Sequence, residues 1–174
     1  DGGGVKGIIP ARILQEIEER TGKPISELFD MVGGNSTGSI LAAGLSIPDP
    51  NDPTKPKFSA KDLKGIYFED SPKIFPETRF RQLLHVLPGT NGFYDAEPLE
   101  DTLKKNFGDA KIKDALTHLM IPAVDIKKYR PIWIKHIKGA NEDPENWGSM
   151  MMRDAIRGST TAPTYLQSKY VYTT

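Results

Sequence analysis

Phe29-Asp30-Met31-Val32-Gly33-Gly34-Asn35-Ser36-Thr37-Gly38 is the stretch on which the fold turns. A short apolar run enters a glycine pair, and a serine framed by Gly34 and Gly38 follows. Beyond it, Ser39 to Leu45 is a run of small and aliphatic residues that suits a closely packed helix. The order is therefore buried strand, tight turn, helix. In that context Gly34-x-Ser36-x-Gly38 is the pattern of a nucleophile elbow. There the serine backbone is strained, its hydroxyl is exposed, and the helix N-terminus behind it favours negative charge. Glycines on either side let neighbouring elements approach the turn without Cβ contacts. The plainer alternative is a serine N-cap beside a glycine turn.

Working upstream, Ile9, Ile13 and Ile17 recur every four residues with Leu14 beside them, which predicts an amphipathic helix. Pro10 falls in its first turn and Gly22 after its end. Downstream, four prolines make residues 48–57 a loop. Ser59 with Asp62 predicts an N-cap for a helix carrying Leu63, Ile66 and Tyr67. Residues 71–95, rich in Pro, Gly and aromatics, read as irregular. A helix from Pro98 to Phe107, a strand from Leu119 to Asp125, a second strand over Pro131 to Lys138 and a helix capped by Ser149 running through Arg157 complete the pattern. A Ser/Thr/Ala/Pro loop then leads to the end. Strands alternating with helices imply an α/β sheet covered by helices.

Composition limits the alternatives. The chain has 174 residues, 37% of them hydrophobic and 26% charged, which is one ordinary globular domain. Lys plus Arg and Asp plus Glu are both 23, so the net charge is zero and a dedicated nucleic-acid binder is not expected. With no Cys, disulfides, thiolate zinc sites and Cys nucleophiles are excluded. The three histidines, His85, His118 and His136, are scattered, and no metal site is expected. The chain opens at Asp1-Gly2-Gly3-Gly4 with no strand ahead of the glycines, and Lys169 to Thr174 reads as a strand that stops. Native sequence is expected on both sides of this stretch.

The opening glycine loop has two readings. Gly2-x-Gly4-x-x-Gly7 fits the dinucleotide fingerprint, but that reading also wants an acid at the end of the second strand, and none follows Val32. The other reading is an oxyanion hole, in which a glycine run ahead of a helix exposes several backbone N–H groups. Two glycine elements, each leading into a predicted helix, are best explained together by the second reading.

Those two motifs, in that order, resemble the patatin-like phospholipases. Ile121-Pro122-Ala123-Val124-Asp125 resembles a later strand of that family. Ala155-Ile156-Arg157-Gly158-Ser159-Thr160-Thr161-Ala162-Pro163-Thr164-Tyr165 resembles its R-x-S-x-A-A-P-x-Y-F segment, so the likeness runs nearly end to end. It implies a three-layer α/β/α fold with a mostly parallel central sheet, over a single catalytic domain, 1–174. It also implies a Ser–Asp dyad with Ser36 as nucleophile and an oxyanion hole from the N–H groups of Gly2, Gly3, Gly4, Val5 and Thr37. The substrate would be a phospholipid or acylglycerol met in transient contact with a membrane surface, with no cofactor and no metal. The family's Asp lies in an Asp-Gly-Gly or Asp-Gly-Ala motif after the A-P-x-Y segment, and this sequence holds no such motif there. Asp125 is the likeliest internal stand-in. A general esterase or thioesterase, or a silent lipid-binding module, are the alternatives.

The remaining candidates have bland readings beside sharp ones. The histidines read as surface or packing residues unless a triad replaces the dyad. Lys127, Lys128, Arg130, Lys135 and Lys138 read first as a solvated strand face and second as a contact for anionic headgroups. Phe75, Phe80, Leu83, Leu84, Val86 and Leu87 fit equally a core segment and an acyl-chain wall. Lys6 and Arg12, near the glycine loop, read either as phosphate contacts or simply as exposed residues. Trp133 and Trp147 read as core or strand-face residues.

Overall fold

A computed structural model describes residues 3–4, 6–66, 96–140 and 143–161. Gly2, Val5, His85, residues 71–95 with their apolar side chains, and residues 162–174 lie outside the described residues.

Helix α1 spans Ile8–Thr21 and ends where predicted, with Gly22 left-handed at φ 67 and its N–H donating to the Glu18 carbonyl at 2.8 Å. Its inward face is not the isoleucine stripe. Ala11 and Gln15 are buried and Leu14 and Ile17 partly so, while Ile9 and Ile13 are exposed. The Glu18 carboxylate holds two further helices. One oxygen accepts the Ile25 N–H at 3.1 Å, at the start of α2 (Ile25–Leu28), and the other accepts the Ala60 N–H at 2.7 Å, at the start of α4 (60–66). A carboxylate between two helix N-termini satisfies otherwise orphaned donors and opposes both dipoles. Ser59 caps α4 as predicted, its hydroxyl and backbone N–H both bonded to Asp62.

Strand β1 is short, Met31–Gly33, and only Val32 is buried; Phe29 and Met31 are exposed. It pairs in parallel with β2 (His118–Asp125), Val32 opposite Leu119. Strand β3 (Arg130–His136) pairs antiparallel with β2, Pro122 opposite Trp133. The described sheet is therefore mixed, in the order β1-β2-β3. Residues 126–129 alone join β2 to β3, too few for the dozen or so of a parallel crossover. Between β1 and β2 lie helices α3 (Thr37–Gly44), α4 and α5 (Glu97–Phe107), the long connection a parallel pair requires.

Leu119, Ile121 and Ile134 of the sheet, Leu41 and Ala42 of α3, Leu99, Leu103 and Phe107 of α5, and Met152, Ala155 and Ile156 of α6 (Met152–Ser159) form one buried cluster. Helix α6 packs on β2, α3 and α5. Gly44 lets α3 approach α4 closely: a Cβ there would lie 2.5 Å from Leu63 Cδ2, so the buried leucine would have to shift. Ser149 does not cap α6. It sits in a 3₁₀ turn, Trp147–Ser149, its hydroxyl donating to Asn146, and α6 begins three residues later. Pairing with the 110–112 segment takes up the intervening backbone, Ile112 N–H to the Met150 carbonyl and Met152 N–H to the Ala110 carbonyl, so the helix cannot start earlier. The architecture is mixed α/β, helices packed on a small sheet, consistent with the three-layer α/β/α fold.

Candidate active site

The turn after β1 explains its own sequence. A Cβ on Gly34 would lie 2.3 Å from the Gly38 carbonyl oxygen, so only glycine fits where strand passes into helix. Gly33 is tightly placed but less constrained, its virtual Cβ 3.1 Å from the Met120 carbonyl of the neighbouring strand. Between these glycines and α3, Ser36 takes φ 51, ψ −124, a conformation that L-residues avoid. Such a residue typically carries on the order of 1–3 kcal/mol of strain and persists only where its surroundings fix it.

Several hydrogen bonds fix Ser36. Its N–H donates to Ser159 Oγ at 3.0 Å, and Ser159 Oγ donates to the Pro122 carbonyl of β2 at 2.6 Å. Its carbonyl accepts the Ser39 N–H at 2.9 Å in the first turn of α3. Ser159 thus ties the turn to the strand beside it through the end of α6. That end is itself anchored by Arg157, which is buried and paired with Glu100 of α5 at 3.0 Å. No motif within the Arg157-Gly158-Ser159 segment marks Ser159 as a site residue in the sequence, because its partners lie 37 and 123 residues away.

The glycine loop meets the same turn. Thr37 Oγ1 donates to the Gly4 carbonyl at 3.0 Å, joining positions 33 residues apart. Gly4 has φ 54, and the loop continues through Lys6 N–H to Gly3 and Gly7 N–H to Gly4 before α1. Of the predicted oxyanion donors, Gly4 thus meets Thr37, the residue after Ser36, Gly3 adjoins Gly4 in the loop, and Gly2 and Val5 lie outside the described residues. Lys6 is exposed. Arg12 is engaged along α1 with Glu16 at 2.9 Å and Glu19 at 3.8 Å.

The described histidines are at the other end of the sheet. Ser36 follows the C-terminal end of β1, whereas His118 opens β2 opposite Met31, and His136 pairs with the next residue, Leu119. His118 Nδ1 accepts the Lys138 N–H at 2.9 Å. Burial first, and then the adjacent His118, hold the His136 imidazole below its ordinary pKa. Asp125 lies at the Ser36 end of the sheet, but its Oδ1 accepts the N–H groups of Lys127 and Lys128 at 3.0 and 3.1 Å and so closes the β2–β3 turn. Among the described residues, no carboxylate lies within hydrogen-bond distance of Ser36 Oγ, and no group of three or more His, Asp and Glu is placed to hold a metal ion.

The family pattern described as patatin-like phospholipase matches residues 1–173. The chain belongs to that family. Among curated relatives, the patatin-like chain is 33% identical to patatin-like protein 2 of Oryza sativa subsp. indica, over 99% of its own length and 44% of that protein's. It is 32% identical to patatin-like protein 2 of Arabidopsis thaliana, over 98% and 43%. It is 34% identical to a Solanum tuberosum protein named probable inactive patatin-3-Kuras 1, over 99% and 45%. The patatin-like chain thus spans less than half the length of these relatives.

Proposed function

We propose that this patatin-like chain carries the nucleophilic half of a serine lipid acyl hydrolase that cleaves fatty-acyl esters of phospholipids or acylglycerols. One observation carries the reading: Ser36 is held at φ 51, ψ −124 on a turn where glycine alone fits at position 34. A serine kept in that conformation by contacts from β2 and α6 is arranged for something other than capping a helix. Ser36 Oγ attacks the ester carbonyl carbon and its proton passes to a base. The carbonyl oxygen becomes an oxyanion, stabilised by backbone N–H groups of the glycine loop and of Thr37 at the α3 N-terminus. Collapse expels the alcohol of the lipid, which takes a proton, and leaves the acyl group on Ser36. Water activated by the same base then releases the fatty acid. Because the Ser36 N–H is directed to Ser159, oxyanion donors come from Gly3, Gly4 and Thr37, with Gly2 and Val5 as further members.

The base is a carboxylate outside the described residues, as the family resemblance implies. A second reading follows from the absence of a described carboxylate at Ser36 Oγ: a chain with the turn intact and no turnover, in line with the printed name of the potato relative. A general esterase or thioesterase with the same turn is a third. In a protein that carries the base, a fluorophosphonate probe should label the wild type at Ser36 and leave Ser36→Ala unlabelled, and fatty-acid release should fall by roughly 10⁴–10⁶ in the substituted protein. Labelling without release supports the second reading, and equal labelling of both proteins removes Ser36 from the mechanism.

A further inference from the structure

Exposed apolar side chains gather on the β2–β3 hairpin. Val124 is 66% exposed, Ile126 58%, Tyr129 91% and Trp133 51%. The register explains why they share one region. Pro122 stands opposite Trp133 and Val124 opposite Pro131, on the face away from buried Ile121 and Ile134, while Ile126 and Tyr129 sit in the turn itself. Lys127, Lys128, Arg130 and Lys135 are interleaved with them, and no acid occurs from 126 to 138 in a chain whose net charge is zero. Asp125, the nearest acid, is engaged with the turn amides and stiffens the tip. Through Ser159, Ser36 is level with Pro122, and β2 runs three residues further to Asp125, about 10 Å of extended chain, before the turn begins.

We propose that this hairpin is a docking element for an anionic lipid surface, seating Ile126 and Tyr129 at the boundary of headgroups and acyl chains with the lysines and arginine among the headgroups. An aromatic and an aliphatic side chain at a basic tip match the two halves of a lipid interface, apolar below and anionic above. The tip projects at the Ser36 end of the sheet, so docking would bring the lipid to that end. The inference rests on the lipid acyl hydrolase reading for its meaning, but its test does not require turnover.

The test is flotation of the 174-residue chain with phosphatidylcholine vesicles and with vesicles in which part of that lipid is replaced by phosphatidylglycerol. The chain should partition onto the anionic vesicles, and added salt should release it. Lys128→Gln should weaken partition roughly fivefold. Ile126→Ser combined with Tyr129→Ser should weaken it by about tenfold or more. These positions are exposed, so circular dichroism should be unchanged, and fluorophosphonate labelling of Ser36 should be unchanged in every hairpin variant. Absence of partition by the native chain, or equal partition by native and substituted chains, overturns the proposal. So does self-association that the same substitutions abolish without vesicle binding, which would make a second copy the occupant. Vesicle binding without Ser36 labelling overturns the catalytic reading and leaves the docking element standing.

Discussion

Two turns at the same end of the sheet each place a non-glycine residue at positive φ: Ser36 at 51 and Tyr129 at 49. They are held by different means. The Ser36 turn is fixed from afar, by Ser159 and Pro122 across α6 and β2 and by Thr37 on the glycine loop. The Tyr129 turn is fixed locally, by the Asp125 carboxylate on the amides of Lys127 and Lys128. The first is half-buried beside Gly34, which tolerates no Cβ, while the second carries an exposed aromatic. A similar φ is thus over-determined in one place and incidental to a short hairpin in the other. Strain held by long-range contacts is the kind that accompanies a site.

Substitutions can break or sharpen that contrast. Gly34→Ala should be the most damaging, because its Cβ would meet the Gly38 backbone at 2.3 Å. A loss of about 3 kcal/mol or more, or failure to fold, is expected in urea denaturation. Ser159→Ala leaves the Ser36 N–H without its acceptor and the Pro122 carbonyl without its donor, and should cost about 1–3 kcal/mol. Ser159→Thr, which keeps the hydroxyl, should recover most of that loss and the rate of fluorophosphonate labelling. Recovery by Ser159→Val in place of Thr would show that packing, not the hydrogen bonds, matters. Tyr129→Gly should change stability by less than about 1 kcal/mol, since relief of the left-handed conformation offsets the added freedom of the unfolded chain. A large change there would erase the distinction between the two turns.

The smallest effect lies at the far end of the sheet. His136 has a folded pKa below its ordinary value of 6.5, so the unfolded chain binds the proton more readily. Stability contributed by neutral His136 is full above 6.5 and is lost as pH falls from there towards the folded pKa. His136→Gln should flatten that part of the pH–stability curve, and an unchanged slope would assign it to another group.

Much of the framework was legible because it rests on local chemistry. Gly22 ends α1, the Ser59–Asp62 pair starts α4, and the Gly34–Ser36–Gly38 spacing marks the turn. What escaped depends on contacts distant in sequence. Ile9, Ile13 and Ile17 gave a helix but not its inward face, because Ala11 and Gln15 also form a stripe and nothing local says where the core lies. Ser149 looked like a cap until Met150 and Met152 proved to be bonded to the 110–112 segment. The roles of Glu18 and Ser159 are joins between elements 42 and 123 residues apart, which no window along the chain can display. The meeting of the glycine loop with the Ser36 turn, through Thr37 Oγ1 and the Gly4 carbonyl, likewise joins positions 33 residues apart.

The claim on which the functional account depends is that Ser36 Oγ is a nucleophile. The direct measurement is peptide mapping of the chain after reaction with a fluorophosphonate probe, by mass spectrometry. A single adduct on the peptide containing Ser36, absent from Ser36→Ala and slowed in Ser159→Ala, is the predicted result. An adduct elsewhere, or a Ser36 adduct formed no faster than on the urea-unfolded chain, would contradict it.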